Sequence, residues 1–326
     1  MRRIDGSRRA LSLLAAVIVG AGAAGAAEPP KVTPPVSPVA PAKTPVAPAT
    51  TAMDKTPAKQ LFGSTTAAAP LKARAIGFYS KGCLAGGRQL AVDGPAWQAM
   101  RLSRNRNWGH PELVRLVERL AKDVKQKDAW PGLLVGDLAQ PRGGPMLTGH
   151  ASHQIGLDAD IWLTPMPDRR LTREERESMS AVSMLGDTPV TVGAAWTAGH
   201  VKLIRRAALY PEVERVLVHP AIKKALCVAA GDDRKWLHKV RPYWGHHYHM
   251  HIRIGCPKDS PTCRGQKLPE DDEGCGAELD RWFKILSRPA PPVVVPKDPP
   301  KPVKPPRPMM LSDLPAECRE VLTAGP

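Results

Sequence analysis

The stretch Gly149-His150-Ala151-Ser152-His153-Gln154-Ile155-Gly156-Leu157-Asp158-Ala159-Asp160-Ile161-Trp162-Leu163 decides how this chain is read. After Gly156, the residues Leu157, Ala159, Ile161 and Leu163 alternate with Asp158, Asp160 and Trp162. That is the period of a strand with one aliphatic face. Asp160 then lies on the face away from the aliphatic core, and the preceding loop can fold His153 over the same surface. Asp158 shares that face and is expected to support a ligand rather than to be one. A second stretch, His246-His247-Tyr248-His249-Met250-His251-Ile252-Arg253-Ile254, repeats the pattern. Met250, Ile252 and Ile254 take one face; His249, His251 and Arg253 take the other. Side chains two residues apart on a strand point the same way, about 6–7 Å apart.

Imidazoles and a carboxylate brought together are typical zinc ligands, and His153, Asp160 and His251 make three. A catalytic zinc has three protein ligands and an open position for water, whereas a structural zinc uses four. No His-Glu-x-x-His helix occurs, so the remaining histidines have to carry the proton work. Histidines scattered without function are the competing reading, but six of the ten fall in these two segments. The others read as structural: His110 as a helix cap, His200 as a helix-start residue, His219 and His238 as isolated positions.

Outward from these segments the periodicities are mixed. Pro111 opens a helix whose stripe is Leu113, Leu116, Val117, Leu120 and Val124. Thr172 and Glu175 form a capping-box pattern before another helix, and Pro220 starts a third. Strands are expected at 133–135, 157–163, 215–218 and 249–254. Strands and helices in this irregular order predict an α+β domain. Two proline-rich stretches, 28–61 and 288–308, have a composition that stays extended and cannot build a core. They frame a domain at 62–287 and leave a tail at 309–326.

Residues 1–27 read as a secretory signal: Arg2, Arg3, Arg8 and Arg9, then a short apolar run, then small residues at 24–27. No segment reaches the length of a membrane span. Six cysteines without a Cys-x-x-Cys pair suit an exported, disulfide-bonded protein, with 15 pairings open. The formal charge of +16 favours an anionic partner. Export, few aromatics and the lack of a recognition motif argue against nucleic acid, which leaves an acidic wall polymer.

At these residues the chain resembles the penicillin-insensitive murein endopeptidases. They form part of a wider group with lysostaphin-type peptidases, D-Ala-D-Ala carboxypeptidases and the hedgehog signalling domain. The shared elements are His153-x6-Asp160 and His249-Met250-His251. Longer matches are Ser80-Lys81-Gly82-Cys83, Trp108-Gly109-His110-Pro111, Lys239-Val240-Arg241-Pro242 and Gly274-Cys275-Gly276-Ala277-Glu278-Leu279. The resemblance covers roughly Ile76 to Phe283 and the six cysteines. It implies the antiparallel-sheet zinc peptidase core of the hedgehog/DD-peptidase type. It also implies hydrolysis of the D-alanyl–diaminopimelyl cross-link of peptidoglycan in the periplasm, unaffected by penicillin. Zinc would be held by His153, Asp160 and His251, with His150 also at the metal centre. His246 and His249 would serve as general base and oxyanion stabiliser, the base role going to His249. The implied disulfides are Cys83–Cys318, Cys227–Cys275 and Cys256–Cys263. Relatives carry a His three residues after the position of Asp187 and can bind a second metal there. This chain has Val190 instead, so a second site at Asp187 is not expected to be strong.

Three rivals stand beside this reading. A binding module with the same fold should have lost ligands or catalytic histidines, and here all are present. Another bond in the wall, such as a terminal D-Ala or an LD-linkage, would use the same chemistry. Nucleic-acid binding has charge in its favour and export against it. A homo-oligomer stays open.

Overall fold

The structure, a computed structural model, describes residues 52–267, 272–288 and 306–325. The expected signal at 1–27, the linker up to residue 51 and nearly all of the linker at 288–308 lie outside those residues. Helices α1 (Ala52–Lys55) and α2 (Ala58–Gly63) lead into the hairpin of β1 (Arg74–Phe78) and β2 (Lys81–Ala85). Strands β3 (Arg88–Gln89), β4 (Trp97–Ala99) and β5 (Trp108–Gly109) precede helix α3 (Pro111–Lys127). Then come β6 (Leu133–Val135), β7 (Asp158–Trp162), α4 (Arg173–Ser178), α5 (Ala198–Leu209) and β8 (Val213–Val218). The chain continues through α6 (Pro220–Ala229), β9 (Val240–Pro242), β10 (His249–Ile254), α7 (Ala277–Leu286) and α8 (Glu317–Thr323). This is the mixed α+β architecture that the irregular order predicts.

The central sheet has the order β4-β6-β7-β10-β8-β9. Its four middle strands pair antiparallel, while β4–β6 and β8–β9 at the two edges are parallel. The antiparallel expectation therefore holds for the centre only. Strand β10 lies between β7 and β8, in a register that sets His251 opposite Asp160 and Arg253 opposite Asp158. Two segments about 90 residues apart thus deliver their polar side chains to one patch of one sheet face.

Helix ends follow local chemistry. The Glu112 N–H donates to Nδ1 of His110 at 3.3 Å, which caps α3 just ahead of Pro111. His219 caps α6 in the same way, accepting from the Ala221 N–H. Thr172 and Glu175 complete a capping box on α4. The α3 stripe Leu113, Leu116, Val117, Leu120 and Val124 is wholly buried and packs with Ala159, Ile161, Met250 and Ile252 of the sheet. Each fully buried Leu adds roughly 1.5–3 kcal/mol of transfer free energy, which makes the aliphatic face a rigid base for the opposite one.

A second, smaller core gathers Ala58, Phe62, Ile76, Ala85, Leu314 and Val321 around the Cys83–Cys318 disulfide. Residues 52–61 are placed in a linker by composition, yet they form α1 and most of α2. Phe62 is their anchor, with none of its surface exposed. The Ala58 N–H also donates to the Met309 carbonyl at 2.8 Å, joining both ends of the described chain. Disulfides Cys227–Cys275 and Cys256–Cys263 fasten the loops beyond α6 and β10.

Candidate metal centre and cleft

Every residue of β7 and β10 is buried, so the polar face is covered as well as the aliphatic one. Part of the cover is the loop before β7, which brings in His150 and His153. His153 has a backbone φ of 67°, a left-handed conformation uncommon for a residue with a side chain. Its N–H donates to Oδ2 of Asp158 at 3.0 Å, which ties the strained position to the sheet.

Asp160 is the hub. Its Oδ1 lies 3.1 Å from Nδ1 of His251, 3.5 Å from Nε2 of His153 and 3.5 Å from Nε2 of His249. Its Oδ2 lies 3.5 Å from Nε2 of His150. Burial opposes ionisation of this carboxyl, but His249 and His153 outweigh burial and hold it well below the usual carboxylate range.

The protonation pattern singles out one nitrogen. His251 Nε2–H donates to Oδ1 of Asp158 at 2.8 Å, and Arg253 Nε–H donates to the same oxygen at 2.6 Å. In a neutral imidazole so bonded, Nδ1 carries the lone pair. That nitrogen faces an Asp160 oxygen at 3.1 Å, a contact that either a proton on Nδ1 or a bound cation satisfies. Both nitrogens of His153 are also buried without a hydrogen-bond partner.

Two ligands of a tetrahedral zinc with bonds near 2.0–2.1 Å sit about 3.3 Å apart, the spacing found around Asp160. The donor set therefore fits a divalent metal. By distance alone His150, His153 and Asp160 form the group, with one ligand atom each within 4.8 Å of the others. Nε2 of His150 donates to Oδ2 of Asp137 at 3.1 Å, which leaves its Nδ1 with the lone pair, as Asp158 does for His251. His150 and His251 both stand within reach as a third ligand beside His153 and Asp160.

His246 and His249 stand beside this group, their rings 4.9 Å apart. His246 Nδ1–H donates to the Trp244 carbonyl at 2.7 Å, which leaves its Nε2 as the acceptor. Burial, then the neighbouring His249 and His251, push the His246 pKa down to about 3, so the ring is neutral near pH 7. Asp187 lies apart on an exposed loop and joins no group of metal-ligand side chains among the described residues.

A cleft of about 320 Å³ opens beside the centre, with Asp137, His150, Asp160, Trp162, Tyr248 and His249 in its wall. Asp137 is the residue that the sequence reading missed. It follows β6 and Gly136 with no motif around it, and only the pairing of β6 with β7 carries it to the site. Its Oδ2 receives Arg104, Arg106 and His150 at 3.1, 2.9 and 3.1 Å. The remaining histidines serve the scaffold. His200 Nε2–H donates to the Leu163 carbonyl at 2.9 Å, and His238 Nδ1–H to the Lys235 carbonyl at 2.6 Å.

Comparison with known proteins matches residues 75–323 to the family described as penicillin-insensitive murein endopeptidase. Among similar proteins, one of that name from Haemophilus influenzae is 41% identical over 255 residues, which is 78% of this chain and 84% of the relative. Another from Yersinia enterocolitica is 44% identical over 212 residues, 65% of this chain and 76% of the relative. A third, from Klebsiella pneumoniae, is 41% identical over 231 residues, 71% of this chain and 84% of the relative. With the match spanning the central sheet and all six cysteines, the chain belongs to the penicillin-insensitive murein endopeptidase family.

Proposed function

We propose that this protein is a zinc-dependent endopeptidase that hydrolyses the D-alanyl–diaminopimelyl cross-link of peptidoglycan in the periplasm. The observation that carries the reading is Nδ1 of His251 lying 3.1 Å from Asp160, beside the buried, unpartnered ring of His153. His153, Asp160 and His251 would hold the metal. A bound zinc supplies Lewis acidity, which polarises a carbonyl and acidifies water. The protein groups do the rest. Asp158 fixes the tautomer of His251, the second-sphere arrangement that orients metal-binding imidazoles. His246, with Nε2 free, accepts the proton of the attacking water. His249, in the cleft wall, donates to the oxygen on which negative charge develops. The hydrogen bond to the Trp244 carbonyl is what supports giving the base role to His246 rather than to His249. The chemistry needs no acylated serine, which accords with indifference to penicillin. Among the described residues no helix is long and apolar enough to cross a membrane.

The test is mass spectrometry of purified cross-linked muropeptide dimers incubated with the protein. Conversion to monomers, abolished by chelator and unaffected by penicillin, is the expected result. His246→Ala and His249→Ala should bind zinc yet lose turnover by about 100-fold or more. Intact dimers with zinc present would refute the reading.

A further inference from the structure

The cleft wall next to the metal centre carries two arginines, and among the described residues Asp137 is the carboxylate that pairs with one of them. Arg101 and Arg104 both line it, on the turn after β4. Asp137 is shared: one carboxylate oxygen serves Arg104 and the buried Arg106 as well as His150. Arg101 donates to the backbone carbonyls of Met179 and Arg176 and lies over the Trp162 ring, and no carboxylate pairs with it among the described residues. One carboxylate thus pairs with two of these three guanidinium groups. Arg101 and Arg106 are locked by carbonyls and by burial. Arg104 is different: 46% of its side chain is exposed, and among the described residues the single contact made by its fork is Nη1 to Asp137.

The backbone is arranged to present this side chain. Arg101 and Asn105, which bracket the 3-10 turn at Leu102–Arg104, both have positive φ, at 56° and 50°. Such values in residues with side chains are strained and persist where surrounding contacts hold them. Here Asn105 is held by the Trp108 indole N–H, which donates to its Oδ1 at 2.8 Å. From Arg104 to the metal centre the path is short: Asp137 touches Arg104, and His150 touches both Asp137 and Asp160.

We propose that Arg104, in the field of Arg101 and Arg106, is a substrate-carboxylate site that selects for an anionic group beside the scissile amide. The inference rests on the endopeptidase reading above. In a D-alanyl–diaminopimelyl cross-link, the carbon on the amine side of the scissile amide bears a free carboxylate. That group lies within one residue length, about 3.8 Å, of the reacting carbonyl. A guanidinium fork matches it with two parallel N–H···O bonds, a geometry that lysine does not reproduce.

The experiment compares two dimers, one with the diaminopimelate carboxylate free and one with it amidated, cleaved by the zinc-loaded protein and by Arg104→Gln and Arg104→Lys. The wild-type protein should prefer the free carboxylate by about 10- to 100-fold in kcat/KM. Arg104→Gln should lose that preference, read as the ratio of kcat/KM for the two dimers, and Arg104→Lys should keep part of it. Because the substrate comparison needs no variant, it stands even if a substitution fails to fold. Equal cleavage of both dimers by the wild-type protein would overturn the carboxylate site and leave the endopeptidase reading intact. Cleavage of neither would overturn that reading and the site together.

Discussion

Asp158→Asn is the substitution that the geometry judges most severely. Oδ1 of Asp158 receives His251 Nε2–H at 2.8 Å and Arg253 Nε–H at 2.6 Å, while Oδ2 receives the His153 N–H at 3.0 Å. All three partners are donors. Asparagine offers one oxygen and one NH2, so whichever way the amide turns, a donor meets a donor. The lost charge also strands Arg253, only 5% exposed, whose contacts with Gln266 and the Tyr79 ring are neutral. Removing one partner of a buried ion pair costs about 3–5 kcal/mol. Outer partners of a metal-bound histidine are worth about 10- to 100-fold in metal affinity. The expected outcome is a metal-free protein less stable by about that energy, together with zinc binding weakened by one to two decades. Denaturant unfolding of the apo-proteins measures the first, and competition with a chromophoric chelator measures the second. Zinc affinity within about twofold of wild type would refute the role of Asp158 in orienting His251, whatever happened to stability.

Phe62→Ala should cost about 3–5 kcal/mol in chemical denaturation, because the ring is fully buried in the smaller core; an unchanged midpoint would show that α2 is not coupled to the domain. Asp137 should make its mark in acid. Burial pushes its pKa up, but the hydrogen bond from His150 and the charge of Arg106 outweigh burial and hold it at about 2, below the ordinary 3.8. A depressed carboxylate stabilises fully above its unfolded pKa and loses that contribution as pH falls through its folded one, here roughly 2 kcal/mol lost from about pH 4 downward to about 2. The difference between wild type and Asp137→Asn, measured by denaturation of the metal-free proteins from pH 5 to 2, should shrink across that window.

How far the sequence carried the argument depended on whether a feature is periodic or local. The α3 stripe and the alternation at 157–163 and 249–254 report burial directly, because one buried face imposes a period of 3.6 or 2. The caps at His110 and Thr172 and the helix start at Pro220 were legible for the same reason, since a helix end is satisfied by its own neighbours in sequence. The linker boundary failed because composition averages over a window, whereas a single buried Phe62 and one hydrogen bond to Met309 are enough to recruit residues 52–61.

The sequence by itself determined which face of each strand holds the histidines and carboxylates, and therefore which residues can meet. Only the tertiary structure decided how they meet. Pairing β10 against β7 in one register sets His251 between Asp160 and Asp158, and pairing β6 against β7 adds Asp137, which no motif announced. Proton placement on His251, His150 and His246 follows from hydrogen bonds to Asp158, Asp137 and the Trp244 carbonyl, partners as much as 93 residues distant. A tautomer is a property of the neighbours that a ring acquires on folding, and residue spacing along the chain does not encode it.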